Sequence, residues 1–147
     1  MTKISNTLAT EVKLNTVSAT SSLNSLNNAI KATTNAWKAN ETSLKSAGDN
    51  LKASEAKYKG ISSTMEVVQT KIDKLKEKQE SLDTSTKKGT EQYAKLSTQL
   101  AQAENKLSSL NAQQTRAKNS MEYYKSGLGD LQHEYKSIND VTKSYVE

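Results

Sequence analysis

Apolar residues recur along this chain at every seventh position in two interleaved rows. One row, counted as heptad position a, reads Leu23, Ile30, Trp37, Leu44, Leu51, Tyr58, Met65, Ile72, Gln79, Thr86, Tyr93, Leu100, Leu107, Gln114, Met121, Leu128, Tyr135 and Thr142. The other, position d, reads Leu26, Thr33, Asn40, Ala47, Ser54, Ile61, Val68, Leu75, Leu82, Gly89, Leu96, Ala103, Leu110, Ala117, Tyr124, Leu131, Ile138 and Tyr145. Fourteen of the eighteen positions in each row are apolar, whereas hydrophobic residues make up 33% of the whole chain. A straight helix drifts by ~20° per heptad against a strict seven-residue repeat, so such rows imply left-handed supercoiling about partner helices. The pattern predicts an all-α chain built as a long, extended, parallel coiled coil from Leu23 to Tyr145. Unbroken, it would span about 185 Å at ~1.5 Å per residue.

Two stretches weaken the rows. Gln79, Thr86 and Gly89 occupy seam positions around Asp83-Thr84-Ser85-Thr86-Lys87-Lys88-Gly89-Thr90, and Thr90 could cap a new helix with Glu91 in its first turn. Residues 83–90 therefore read as a weak stretch or as a hairpin loop. A loop would keep the heptad phase by chance in roughly one case in seven. The phase is kept, which favours continuity in the assembled state. The second stretch, 126–130, is Ser126-Gly127-Leu128-Gly129-Asp130; each glycine costs about 1 kcal/mol in a helix interior relative to Ala. A frayed or kinked segment is expected there.

The chain divides into a leader at 1–17 and the coil at 18–147, with the coil expected to continue in a longer protein. In the leader, Leu8, Thr10, Val12 and Leu14 alternate with Ala9, Glu11, Lys13 and Asn15, the period of a short strand; an irregular leader fits equally. Thr16 or Ser18 is then the expected N-cap. No proline interrupts the coil, and the absence of cysteine excludes disulfides and thiolate metal sites.

Polar seam residues bear on oligomer state. Thr33 and Asn40 at d, with Gln79 and Gln114 at a, lower stability but can specify register. Bulky Trp37 and Tyr58 at a crowd a two-stranded seam, which points to a parallel homo-oligomer of three chains. Outside the seam, Lys31, Lys38, Lys45, Lys52 and Lys59 recur at position b as one basic stripe, read as a solvated face or as a face turned to an acidic surround. Position f is small or polar throughout, a surface suited to sliding past others. The net charge of +5 comes almost wholly from lysine, with Arg116 the only arginine. Nucleic-acid readers favour arginine and clustered basic runs, so DNA contact is expected to be incidental. No segment is apolar over the ~18 residues needed to span a membrane.

The residues suggest no chemistry. His133 is the lone histidine, at an exposed position, and transition-metal sites lack their usual donors. Glu77, Glu80 and Asp83 are interspersed with Lys74, Lys76 and Lys78 as ordinary helix-surface pairs. Gly127-Leu128-Gly129 lacks the preceding strand and third glycine of a phosphate loop. Tyr124 and Tyr135 fall on the seam, where packing accounts for them better than a stacking platform with Tyr123. No catalytic, cofactor-binding or metal site, and no small-molecule substrate, is expected.

The opening ISNTLATEVKLNTVSATSSLNSLNNAIKATTNAWK resembles the start of tail tape-measure proteins of long-tailed, siphovirus-like phages of Gram-positive bacteria. The segment Lys87 to Gln113, KKGTEQYAKLSTQLAQAENKLSSLNAQ, is similar to a recurring part of that family. In it, Gly89-Thr90-Glu91 leads into Tyr93, Leu96, Leu100, Glu104 and Leu107. The resemblance implies several parallel copies within the lumen of a virion tail tube, with the host cytoplasm as the place of assembly. Tail-tube protein and other tail proteins would be the partners, and the task would be to scaffold the tube and set its length. It carries over no catalytic residue. Such proteins are usually several times longer, so the chain is expected to be an N-terminal part. The rival readings are a bacterial secreted or surface coiled coil, and an intracellular helical adaptor working through αα-hairpins.

Overall fold

A computed structural model describes residues 22–127, together with Lys136 and Ile138. The leader at 1–17, the cap candidates Thr16 and Ser18, and the seam residues Leu128, Leu131, Tyr135 and Tyr145 lie outside the described residues, as does His133. The described chain is helical, with three helices and no strand among the described residues: α1 (Leu23–Ser46), α2 (Asn50–Glu80) and α3 (Lys87–Lys125).

Each helix starts on a side-chain cap that satisfies an otherwise orphaned backbone N–H. Ser22 accepts from the Ser25 amide, Asp49 from Lys52 and Thr86 from Gly89. The caps also show where the chain reverses. Between α1 and α2, Gly48 N–H donates to Lys45 O at 2.9 Å and Asp49 N–H to Leu44 O at 3.0 Å. This is a Schellman closure, with Gly48 at φ 79° in the left-handed position that glycine adopts without a Cβ penalty. Asp49 then begins the next helix directly. Heptad counting passes over this reversal because Leu44, Ala47 and Leu51 keep the phase. The signal is local: glycine followed at once by an N-cap aspartate is a stop and a start.

The second reversal occupies Ser81 to Thr86. Asp83 Oδ1 accepts from the Ser85 hydroxyl at 2.5 Å and from the Ser85 amide at 3.0 Å. Thr90, the expected cap, lies within α3 and donates its hydroxyl to Thr84 O and Thr86 O at 3.0 and 2.9 Å; the cap is Thr86. A Cβ on Gly89 would run into the Asp83 carbonyl, so glycine lets the turn fold tightly onto the new helix. In the single chain, then, the stretch at 83–90 belongs to a hairpin rather than to a continuous helix. Heptad phase counts residues and is blind to the direction in which the chain leaves a turn. Beyond α3, Ser126 is the C-cap and Gly127 again has φ 79°.

Both hairpins are antiparallel and share α2, on which α1 and α3 each pack; α1 and α3 do not pack on one another. The buried residues of α1 are Leu26, Ile30, Thr33, Trp37 and Leu44, all seam positions. Those of α3 are Gly89, Ala103, Leu110 and Ala117, all at d. The middle helix must meet two neighbours. It buries Ser54, Ile61, Val68, Ile72 and Leu75 from its seam and a second stripe of Ala53, Gly60, Thr64 and Val67.

Candidate functional site

The feature with functional content is the seam itself and how the fold distributes it. Leu26, Ile30, Trp37, Leu44, Ile61, Val68, Ile72, Leu75 and Leu110 are buried within the single chain. Leu23, Leu51, Tyr58, Met65, Leu82, Leu96, Leu100, Leu107, Met121 and Tyr124 are half-buried. Tyr93 is 42% exposed and Ile138 64%.

The two interfaces of α2 differ in kind. Between α1 and α2, Trp37 lies against Gly60, where any side chain would collide with the Cβ and Cγ of the tryptophan. The absent side chain is what lets the two helices approach. Thr64 returns its hydroxyl to Gly60 O at 2.8 Å, which allows a polar residue to be fully buried beside it. Glu41, half-buried on α1, meets Lys45 at 3.5 Å on its own helix and Lys57 on α2 at 3.7 Å. The Lys38 ammonium sits 5.9 Å from the Trp37 ring centroid, within cation–π range. Four large apolar side chains of α1 thus enter one dry interface. The Trp37 indole Nε1 is buried there without an acceptor among the described residues.

Between α2 and α3 the contacts are at least as extensive but more polar. Gln79 donates to Tyr93 O at 3.2 Å and to Ser97 Oγ at 2.7 Å, and Gln114 donates to Ser62 Oγ at 2.6 Å. These bonds set the antiparallel register. Leu110 is the one large side chain that α3 buries; Ala103 and Ala117 are small. Its a row stays half-covered at Leu100, Leu107, Gln114 and Met121. Lys71 on α2 has its pKa lowered, first by desolvation and then by the charge of Lys106 on α3. Two like charges therefore oppose the closure.

No protein-family profile, curated protein or solved structure matches the chain.

Sequence reasoning missed the second stripe on α2. Ala53, Gly60, Thr64 and Val67 stand at c and g, where α3 carries chiefly Lys, Gln and Ser but α1 carries Ala29, Ala32, Ala36 and Ala39, and small residues at seven- and four-residue spacing were the available signal. The five lysines at position b are exposed on α1 and α2, with Lys52 paired to Asp49 at 3.8 Å. Tyr123 and Tyr124 pack edge to face, centroids 5.3 Å apart, and Tyr124 stands beside the first turn. No described helix is long and apolar enough to cross a membrane.

Proposed function

We propose that the chain is part of a phage tail tape-measure protein, a structural component that scaffolds the tail tube from within its lumen and sets its length. In the working form several parallel copies, three by the crowding of Trp37 and Tyr58, share the a and d rows as an extended coil. The observation that carries this reading is the single heptad phase running through both turns. Hairpins have no need of it, and a continuous rod cannot do without it. The absence of proline and the small, polar f positions suit a rod around which tube subunits polymerise. The resemblance of the opening segment and of Lys87 to Gln113 to tape-measure proteins supplies the tail and the tube protein as partners. Tail length across a series of seven-residue deletions in the full protein tests the reading. Removing Ser97 to Ala103 keeps every downstream seam position and should shorten tails by about 10 Å. Removing four residues there shifts the seam and should impair assembly more, despite the smaller loss. Tails of constant length across the series would overturn it.

A second reading, an intracellular helical adaptor, draws support from the hairpin turn at Ser81 to Thr86. It predicts no link between deletion size and any particle dimension.

A further inference from the structure

We infer that the two hairpins have different fates: α1 stays folded on α2, while α3 swings out at Ser81 to Thr86 and a second copy of this chain takes its place on the α2 seam. This rests on the self-associating extended coil proposed above, but not on the tail.

The asymmetry is in the residues each helix uses. α1 turns its seam, led by Trp37, toward Gly60 and the c and g stripe of α2. A strand of a simple parallel coil has no use for such a stripe. Its small residues serve a helix lying close against α2 outside the a and d rows, which is where α1 lies. The ion pair from Glu41 to Lys57 spans the same face. α3 takes the other side, where Gln79 at a and Ser62 at e receive it. It therefore occupies the rows through which another copy would bind, and intramolecular closure competes with self-association for one surface.

The closure by α3 uses smaller and more polar side chains than that by α1. It buries alanines and a single leucine, leaves the a row half-covered, and sets Lys71 near Lys106. The hinge is also ready to straighten. Ser81 already has right-handed helical backbone, no residue of the turn has positive φ, and Leu82 falls on the d row. Straightened, α2 and α3 form one helix with a continuous seam. The first turn differs, because Gly48 would have to leave the left-handed region. This narrows the extended coil proposed above: Trp37 stays out of the shared seam, and the crowding that points to three chains rests on Tyr58. The part of the chain that sets rod length is 50–125, and α1 adds girth rather than length.

Energy transfer in the full chain tests this, since it has no cysteine and paired labels can be placed at will. The pair Lys59→Cys and Lys118→Cys reports on α3, and Asn28→Cys with Asp73→Cys reports on α1; all four positions are exposed. Straightening would separate the pairs by about 88 Å and about 68 Å respectively. Traces of labelled chain are mixed with rising amounts of unlabelled chain, so that transfer stays within one molecule. As self-association proceeds, transfer across the 59/118 pair should fall from near-complete to near-zero while the 28/73 pair holds. Thr84→Pro, outside both helices but incompatible with a continuous one, should keep the 59/118 signal high and the protein monomeric. Four results overturn the inference: both pairs falling together, neither falling in a self-associated sample, a chain monomeric at every concentration, or Thr84→Pro associating like the parent. Should the pairs behave as expected while tails ignore the deletions, the tape-measure reading alone fails.

Discussion

Gly60 shows how much one missing side chain decides. In a helix interior Ala is favoured over Gly by about 1 kcal/mol, and overpacking a core costs about 1–3 kcal/mol. At Gly60 the added Cβ would meet the root of the Trp37 side chain, which cannot swing aside as a flexible tip could. We expect Gly60→Ala to destabilise the chain by about 1 kcal/mol or more, the overpacking outweighing the propensity gain. Urea unfolding followed by the fluorescence of Trp37, the only tryptophan, measures it. A raised midpoint would mean that α1 and α2 can part without cost. Lys71 offers the opposite case. Its pKa is lowered, so the charged form is disfavoured in the folded state. The resulting penalty is full while the lysine is charged and is relieved as pH rises through its lowered folded-state pKa. Lys71→Met should raise stability at neutral pH, and the advantage should shrink in alkaline buffer; an unchanged melting temperature at pH 7 would count against the repulsion.

At the scale of elements, α3 is bound by its d row and exposes its a row, and neighbouring leucines should respond differently. Leu110 is 6% exposed, so Leu110→Ala should cost about 2–5 kcal/mol. Leu107 is half-buried, and Leu107→Ala should cost the single chain clearly less while weakening self-association more. Equal effects on both readouts would remove the distinction between the rows. The second turn carries its own titration. The Ser85 hydroxyl, followed by the Ser85 amide, holds the Asp83 carboxylate below its ordinary pKa. A carboxylate lowered on folding stabilises the fold above its unfolded value near 3.8 and loses that contribution as pH falls through the folded value. Acidification through this range should therefore loosen the Ser81–Thr86 turn, and Asp83→Asn should flatten the response. Transfer across the 59/118 pair, followed against pH in dilute protein, reads it directly.

For the whole molecule the competing arrangements differ in length by wide margins. Folded, the longest element among the described residues is α3, whose 39 residues span about 58 Å. With α3 swung out and α1 retained, α2 and α3 together would span about 114 Å. With both turns straightened the helix from Leu23 to Lys125 would span about 155 Å. Small-angle scattering across a concentration series should move from the shortest dimension toward the middle one. A passage to the longest would mean that Trp37 leaves Gly60 as well.

The helical class, the two rows of seam residues and the weakness near Gly89 were legible in the sequence, because heptad spacing acts through the geometry of a single helix. So were the boundary signals, although the seven-residue count runs straight through Gly48-Asp49 and residue type alone points to Thr90 as readily as to Thr86 for the cap. Which surface meets which helix was not legible. Leu110 and Leu107 look alike in a heptad, and only the side from which α3 reaches α2 buries one and half-exposes the other. Gly60 looks like a flaw in a helix until Trp37 is brought against it. The heptad says that a stripe must be covered; whether the cover is the same chain folded back or another copy depends on turns, close approaches and like charges that meet only in three dimensions.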